Sequence, residues 1–575
     1  MKNFDLVVRG GTVLDGSGGD PFEGDVAVVD GKIAALGAVY GTGAEEIDAR
    51  GLLVTPGFVD IHTHYDGQAI WGERLTPSSW HGVTTVVTGN CGVGFAPCRQ
   101  GDHELLIRLM EGVEDIPGVV LADGLDWSWE SFPEFLAATE RRPHDIDFAM
   151  QVPHGALRVY VMGERGADRE PATAEDIATM GRLAREAVEA GALGFSSSRT
   201  LNHRSSDGRP TPTLTAGEDE LQGIARALGE SGRGVLQFVS DFVEAQEEFA
   251  MLRRLVERSG RPLSMTVLQD DRRPDQWRDL LRWIGEATRD GLPMKGQVCG
   301  RAVGLVLGLE CTLHPFMGHE AFRPLARLPH EEKVARLRDP EIRRAILASP
   351  PEPSSFLATM LGNFARLFAL GDPPQYEPEP EDSIAARAAR EGRDAAELAY
   401  DLLLESEGRG LLYLPFLNYA RHSLEPSLEM MKHPDTVLGL GDGGAHLGTI
   451  SDASFTTSML THWTRDRSPG EKLPLPWVVR AHSFETAAAV GLLDRGKIAP
   501  GWKADLNLID YDGLRLHPPR VVRDLPAGGR RLIQRADGYR ATVVSGRVVY
   551  RDGEPTGELP GRLIRGAQSA PGEGS

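Results

Sequence analysis

Three stretches of this chain repeat one pattern, a capped amphipathic helix that leads through Gly or Pro into a short apolar run. They are PATAEDIATMGRLAREAVEAGALGFSSS, LTAGEDELQGIARALGESGRGVLQFVS and FVEAQEEFAMLRRLVERSGRPLSMTVLQ. A helix with one apolar face must bury it, and a strand between two such helices is covered on both sides. Helix-strand units of about 30 residues argue for a parallel sheet, and enough of them for a closed (β/α)8 barrel. That texture runs from residue 56 to residue 485.

The ends of the chain read differently. Residues 4 to 55 alternate β-rich runs with Gly/Asp turns, and Asp30-Gly31 between VAVV and KIAAL is a hairpin signal, so several antiparallel strands are expected there. ADLNLIDYDG and YRATVVSGRVVYRDGEP repeat the character near the C-terminus. Residues 1–55 and 486–565 are therefore expected to form one composite β domain beside the barrel. Within the barrel, residues 316–411 interrupt the alternation with a helical and Pro-rich segment. Its run GDPPQYEPEPEDS reads as a solvated connector; a second reading makes the helical insertion part of a substrate lid over the barrel mouth. Residues 566–575, rich in Gly, Ser and Pro, are expected to be disordered.

Active sites of such barrels lie at the C-terminal ends of the strands, which directs attention to three loops. In GFVDIHTHYD an apolar run delivers His62 and His64 to one face of a strand tip, half of a metal site. In GVTTVVTGNCGVG a second run ends at Cys91 among Gly89, Gly92 and Gly94, and a thiolate is a good zinc ligand. In HPDTVLGLGDGG a late run delivers Asp442, which could bind the ion and accept a proton from an attacking water.

These pieces, with EAGALGFSSS and the closing DRGKIAPGWKADLNLID, resemble the amidohydrolase superfamily and its D-aminoacylase branch. HTHYDGQ, GNCGVGFAP and LMEGVEDIPG are similar to the N-acyl-D-aspartate and N-acyl-D-glutamate deacylases within it. The resemblance covers nearly the whole chain. It implies a distorted (β/α)8 barrel with a small β-sandwich built from both termini. It also implies zinc, or another divalent ion, that activates water against an amide carbonyl. His62, His64, Cys91 and Asp442 stand at the ligand positions, with Asp442 as general base and acid.

The chain also departs from that pattern. The family places a histidine at the end of the fifth strand and another at the sixth, where this chain reads GVLQFVSDF and PLSMTVLQDD. Gln237, Asp241, Gln269 and Asp270 are the nearest polar residues, and side-chain amides are poor zinc ligands. One ion per chain is therefore expected, not two. The lysine and arginine with which the family grips a substrate carboxylate are also missing, since no arginine occurs between Asp442 and Arg465. Arg158, Arg199, His203 and Arg204 are the candidate replacements; Gln237, Gln269, His154 and His446 are further candidate substrate contacts.

The expected activity is deacylation of an N-acyl-D-amino acid or a related acylated compound. Hydrolysis of a cyclic amide, an imide or a peptide-like compound without a free carboxylate is the alternative, and a catalytically silent binding barrel is a third reading. The partner is a small molecule: 62 basic against 83 acidic side chains give a net charge of −21, which repels nucleic acid and anionic lipid. Assembly into a homo-oligomer is compatible with the sequence. Four cysteines form no disulfide framework and the N-terminus has no signal-like apolar core, so a cytoplasmic location is expected.

Overall fold

A computed structural model describes residues 2–349, 356–468 and 470–572 of the chain. Eight parallel strands form its centre: β1 (Phe58–Asp60), β2 (Val83–Thr88), β3 (Asp147–Pro153), β4 (Gly194–Arg199), β5 (Val235–Ser240), β6 (Leu263–Thr266), β7 (Met294–Val298) and β8 (Thr436–Leu438). Each pairs with its neighbour in sequence, for example Leu236 with Leu263 and Gly296 with Thr436. The ladder is open between β1 and β8, and there the loops close the ring. The Asp442 N–H donates to His62 O (3.0 Å) and the His64 N–H to Gly443 O (2.7 Å).

The helices around the strands form for legible reasons. We number α1 (His103–Glu114), α2 (Ala174–Ala190), α3 (Glu218–Ser231), α4 (Ala245–Ser259) and α5 (Gln276–Arg289). In α2, Thr173 and Asp176 make a reciprocal capping box, Met180, Ala184, Ala187 and Val188 face the strands, and Gly191 ends the helix in the left-handed region at φ 117°. In α5, Trp277, Leu280, Leu281 and Ile284 make the buried stripe. One contiguous core results, and no helix among the described residues is long and apolar enough to cross a membrane.

Both termini meet in a nine-stranded sheet, joined where Leu53–Pro56 pairs antiparallel with Leu506–Ile509. Leu6, Val8, Val26, Val54, Leu506, Leu508 and Val543 fill its core. The Asp30-Gly31 turn has both residues at positive φ and joins Phe22–Val29 to Lys32–Gly37. The N-terminal strands are not all antiparallel: Lys2–Val13 pairs parallel with Gly41–Asp48. A two-residue turn dictates the direction only of the strands it joins, so this pairing had no local signal.

Between β7 and β8, Val303–Leu307, Phe368–Ala369 and Leu412–Leu417 form a small antiparallel sheet carrying helices with their own apolar core, including Phe322, Val334, Leu337, Leu398 and Leu402. Most of the Pro/Glu run is exposed, Glu379, Pro380, Glu381 and Asp382 among it, but it is fastened at two points. Glu377 takes Arg467 (2.9 Å) and His462 (2.7 Å), and Tyr376 is buried with its hydroxyl on Gln534 Oε1 (3.0 Å). Of the tail expected to be disordered, residues 566–572 follow the barrel floor: the Gly566 N–H donates to Gly191 O and the Gln568 N–H to Gly491 O, each at 2.9 Å. Residues 573–575 lie outside the described residues.

Candidate metal centre and active site

The loops after β1, β2 and β8 bring His62, His64, Cys91 and Asp442 together. His62 Nε2 lies 3.2 Å from Cys91 Sγ and 3.5 Å from Asp442 Oδ1, and His64 Nε2 lies 3.6 Å from that same oxygen. His62, His64 and Cys91 offer ligand atoms that all lie within 4.8 Å of one another, and all three are buried. A tetrahedral zinc site with bonds of about 2.0–2.3 Å has edges of about 3.3–3.8 Å, so the donor set fits such an ion.

Unusual backbone makes this convergence possible. Cys91 (φ 57°) and Gly92 (φ 68°) occupy consecutive left-handed positions, which turn the chain sharply beneath the thiol. The Cys91 N–H is held by Gln237 Oε1 at 3.1 Å. Asp442 is also left-handed at φ 47°, and a Cβ on the preceding Gly441 would stand 2.1 Å from Asp60 Oδ2. Glycine is required there by close approach.

The electrostatics suit ligation. Burial pushes the His62 pKa down to about 4, so its ring is neutral at pH 7, and Gln297 Oε1 at 2.7 Å accepts from Nδ1 and leaves Nε2 as the donor atom. Burial pushes the Cys91 thiol up to about 12 in the metal-free protein. Burial would raise Asp442, but His64, His62 and His446 hold its carboxyl below the usual range. For His64 burial acts downward, yet the charge of Glu114 and contacts with Asp442 and Cys91 raise its pKa well above the ordinary value.

A cavity of about 510 Å3 opens above these groups, lined by His62, Cys91, Glu114, His203, Asp442 and His446 among others. Its far wall is the small antiparallel sheet between β7 and β8, through Val303, Leu305, Phe416 and Leu417, together with Met360 of the inserted helices. His203 lies on the near wall with Nδ1 2.9 Å from Ser198 Oγ, and burial lowers its pKa to about 3.

Several sequence candidates lie elsewhere. Arg158 is fully buried and spends its guanidinium on Glu220 (2.8 Å), Gly166 O and Pro212 O; it cannot reach a substrate. His154 bridges Ser197 Oγ (2.8 Å) and Glu220 Oε1 (2.9 Å) beneath the site. Arg199 is tied to Glu248 (2.8 Å), and Arg204 is exposed and bonds Gly208 O. Gln269 is bonded to Pro274 O and to the Ala420 N–H, anchoring the insertion. These positions follow strand ends, as a binding residue would, but Glu220 and Glu248 from later helices have claimed Arg158, His154 and Arg199, and local carbonyls take Arg204 and the Gln269 amide.

Two residues that the sequence analysis did not single out stand at the centre, Gln297 and Glu114, the latter within LMEGVEDIPG. Gln297 occupies an inward position of β7. Glu114 shares the buried face of α1 with Leu106, Leu109, Met110 and Val113, and an acid in that apolar stripe was the available signal.

Residues 45–550 match the model of the amidohydrolase family, and the chain belongs to that family. Along its length it is similar to the D-aminoacylase of Alcaligenes xylosoxydans xylosoxydans, 27% identical over 98% of this chain and 97% of that one. The N-acyl-D-aspartate deacylase of the same organism is 28% identical over 99% and 96%. Among solved structures, the N-acyl-D-glutamate deacylase of Bordetella bronchiseptica, complexed with zinc and a phosphonate inhibitor, shares the fold with a TM-score of 0.64 at 22% identity over 98% of this chain and all of that one. A crystal structure of D-aminoacylase superposes with a TM-score of 0.63 at 24% identity, also over 98% and 100%.

Proposed function

We propose that this protein hydrolyses the amide C–N bond of an N-acyl-D-amino acid or a related acylated compound, with one divalent ion, zinc by preference, held by His62, His64, Cys91 and Asp442. The convergence of His62, His64 and Cys91 within 4.8 Å of one another, with Asp442 Oδ1 at 3.5 and 3.6 Å from the two histidines, beneath a cavity carries the reading. A divalent ion there supplies Lewis acidity and makes a neutral-pH nucleophile of water.

The protein's own groups divide the remaining work. Asp442, ionised because histidines surround it, is placed to take the proton from the attacking water and return it to the departing nitrogen. His203 stays neutral in its buried wall position and can offer a hydrogen bond to the substrate carbonyl. The insertion closes the far side with apolar residues that exclude water. A single ion is favoured because Gln237 and Gln269 carry amides already bonded elsewhere.

One observation favours a substrate without a free carboxylate, such as a cyclic or capped amide. No described residue lining the cavity is Lys or Arg, while Glu111, Asp115 and Asp241 stand on its wall. Arg272 and Arg366, in the neighbouring hollow, are paired with Asp270 and Asp271. Hydrolysis assays on N-acyl-D-amino acids, their esters and amides, and cyclic amides, run with zinc analysis, test both readings. Turnover that needs bound zinc supports the proposal; a preference for free acids rejects the second reading, and no turnover of any amide by zinc-loaded protein rejects both.

A further inference from the structure

Glu114, the last residue of α1, is a buried carboxylate with neither oxygen in a hydrogen bond. Its side chain is 1% exposed. No Lys or Arg among the described residues pairs with it, whereas the buried Glu220 has Arg158. Oε1 stands 3.3 Å from His64 Nδ1, out of hydrogen-bond alignment, and Oε2 stands 3.7 Å from His446 Nε2. The two oxygens thus face one imidazole each.

The backbone around Glu114 is fastened to the same loop. Its carbonyl accepts the His446 N–H, and the next residue, Asp115, accepts from Thr312 Oγ1 (3.0 Å) and the Gly448 N–H (3.0 Å). The end of α1 is therefore pinned to the segment that follows Asp442. A desolvated carboxylate without a matched partner opposes folding, so its placement calls for a compensating role.

We propose that Glu114 is the positioning residue of the metal centre: its carboxylate, 3.3 Å from His64 Nδ1, is the acceptor that the Nδ1–H takes up when Nε2 faces the ion, and its other oxygen stands against His446 at the cavity wall. The proposal rests on the metal-dependent reading above. A histidine that ligates through Nε2 carries its proton on Nδ1, and a carboxylate there fixes the tautomer, orients the ring and raises its basicity. His62 uses a neutral amide, Gln297, for the same purpose, so the two imidazoles receive unequal support.

Competition against a chelator measures zinc affinity in the wild type, E114Q and E114A, with urea unfolding of each metal-free protein and the cobalt(II) spectrum at saturation. The expected result is a loss of zinc affinity of about 10- to 100-fold in E114A and a smaller loss in E114Q. Metal-free variants should be at least as stable as the wild type, and the cobalt band positions should not change. Equal zinc affinity in all three proteins overturns the positioning role. So does an altered cobalt coordination number, which would make Glu114 a ligand, or destabilised metal-free variants, which would make it structural. A wild type that takes up no zinc instead overturns the metal-dependent reading itself.

Discussion

The backbone N–H of Asp442 donates to the carbonyl of His62 at 3.0 Å, across the gap between the first and last barrel strands. This bond sets the carboxylate of one loop against the imidazole of another, and the reciprocal bond from His64 to Gly443 O prevents the pair from sliding. The ligand cage is thus part of barrel closure, which makes it rigid.

Replacing Asp442 by Asn removes the proton acceptor while leaving the backbone contact to His62 in place. Turnover should fall by at least about 100-fold with the circular dichroism spectrum unchanged. Substantial activity in D442N would show that another group is the base.

Metal uptake should strengthen as pH rises. Cys91, pushed up to about 12 by burial, carries a proton at pH 6–8 that zinc must expel, whereas His62 at about 4 carries none, and the upward shift of His64 acts in the same direction as Cys91. The thiol proton alone gives an affinity slope of about tenfold per pH unit, and C91S should flatten the slope by that amount. Titration calorimetry in buffers of different ionisation enthalpy counts the protons directly.

Gln297→Leu leaves the Nδ1–H of His62 without its acceptor. The catalytic efficiency of the zinc-loaded enzyme and its zinc affinity should both drop by about tenfold or more. Unchanged values would mean that the β7 amide does not orient the ring.

Arg158 and Glu220 form a buried ion pair together with His154. Removing one partner strands a charge, so E220A should cost about 3–5 kcal/mol in urea unfolding. Because Arg158 does not line the cavity, and loss of folded protein lowers Vmax but not KM, KM should stay unchanged in E220A; a raised KM would contradict the structural role of the pair.

Local pattern carried much of this protein. Periodicity specifies α2 through α4 and the strands they deliver, with a side-chain cap only at Thr173 of α2 and left-handed glycines, Gly232 and Gly260, ending α3 and α4. The HxH pair, Cys91 and Asp442 stand out in the sequence because each ends an apolar run, and the structure brings them together at one end of the barrel. What only the tertiary structure decided are the partnerships: that Arg158 faces Glu220, that Gln237 holds the Cys91 N–H, that Glu377 of the Pro/Glu run meets Arg467, and that Glu114 and Gln297 stand behind the two histidines. The reason is physical. Periodicity reports which face of an element is buried, but the partner a buried polar group meets there depends on segments far away in sequence, which only the closed barrel brings within hydrogen-bond reach.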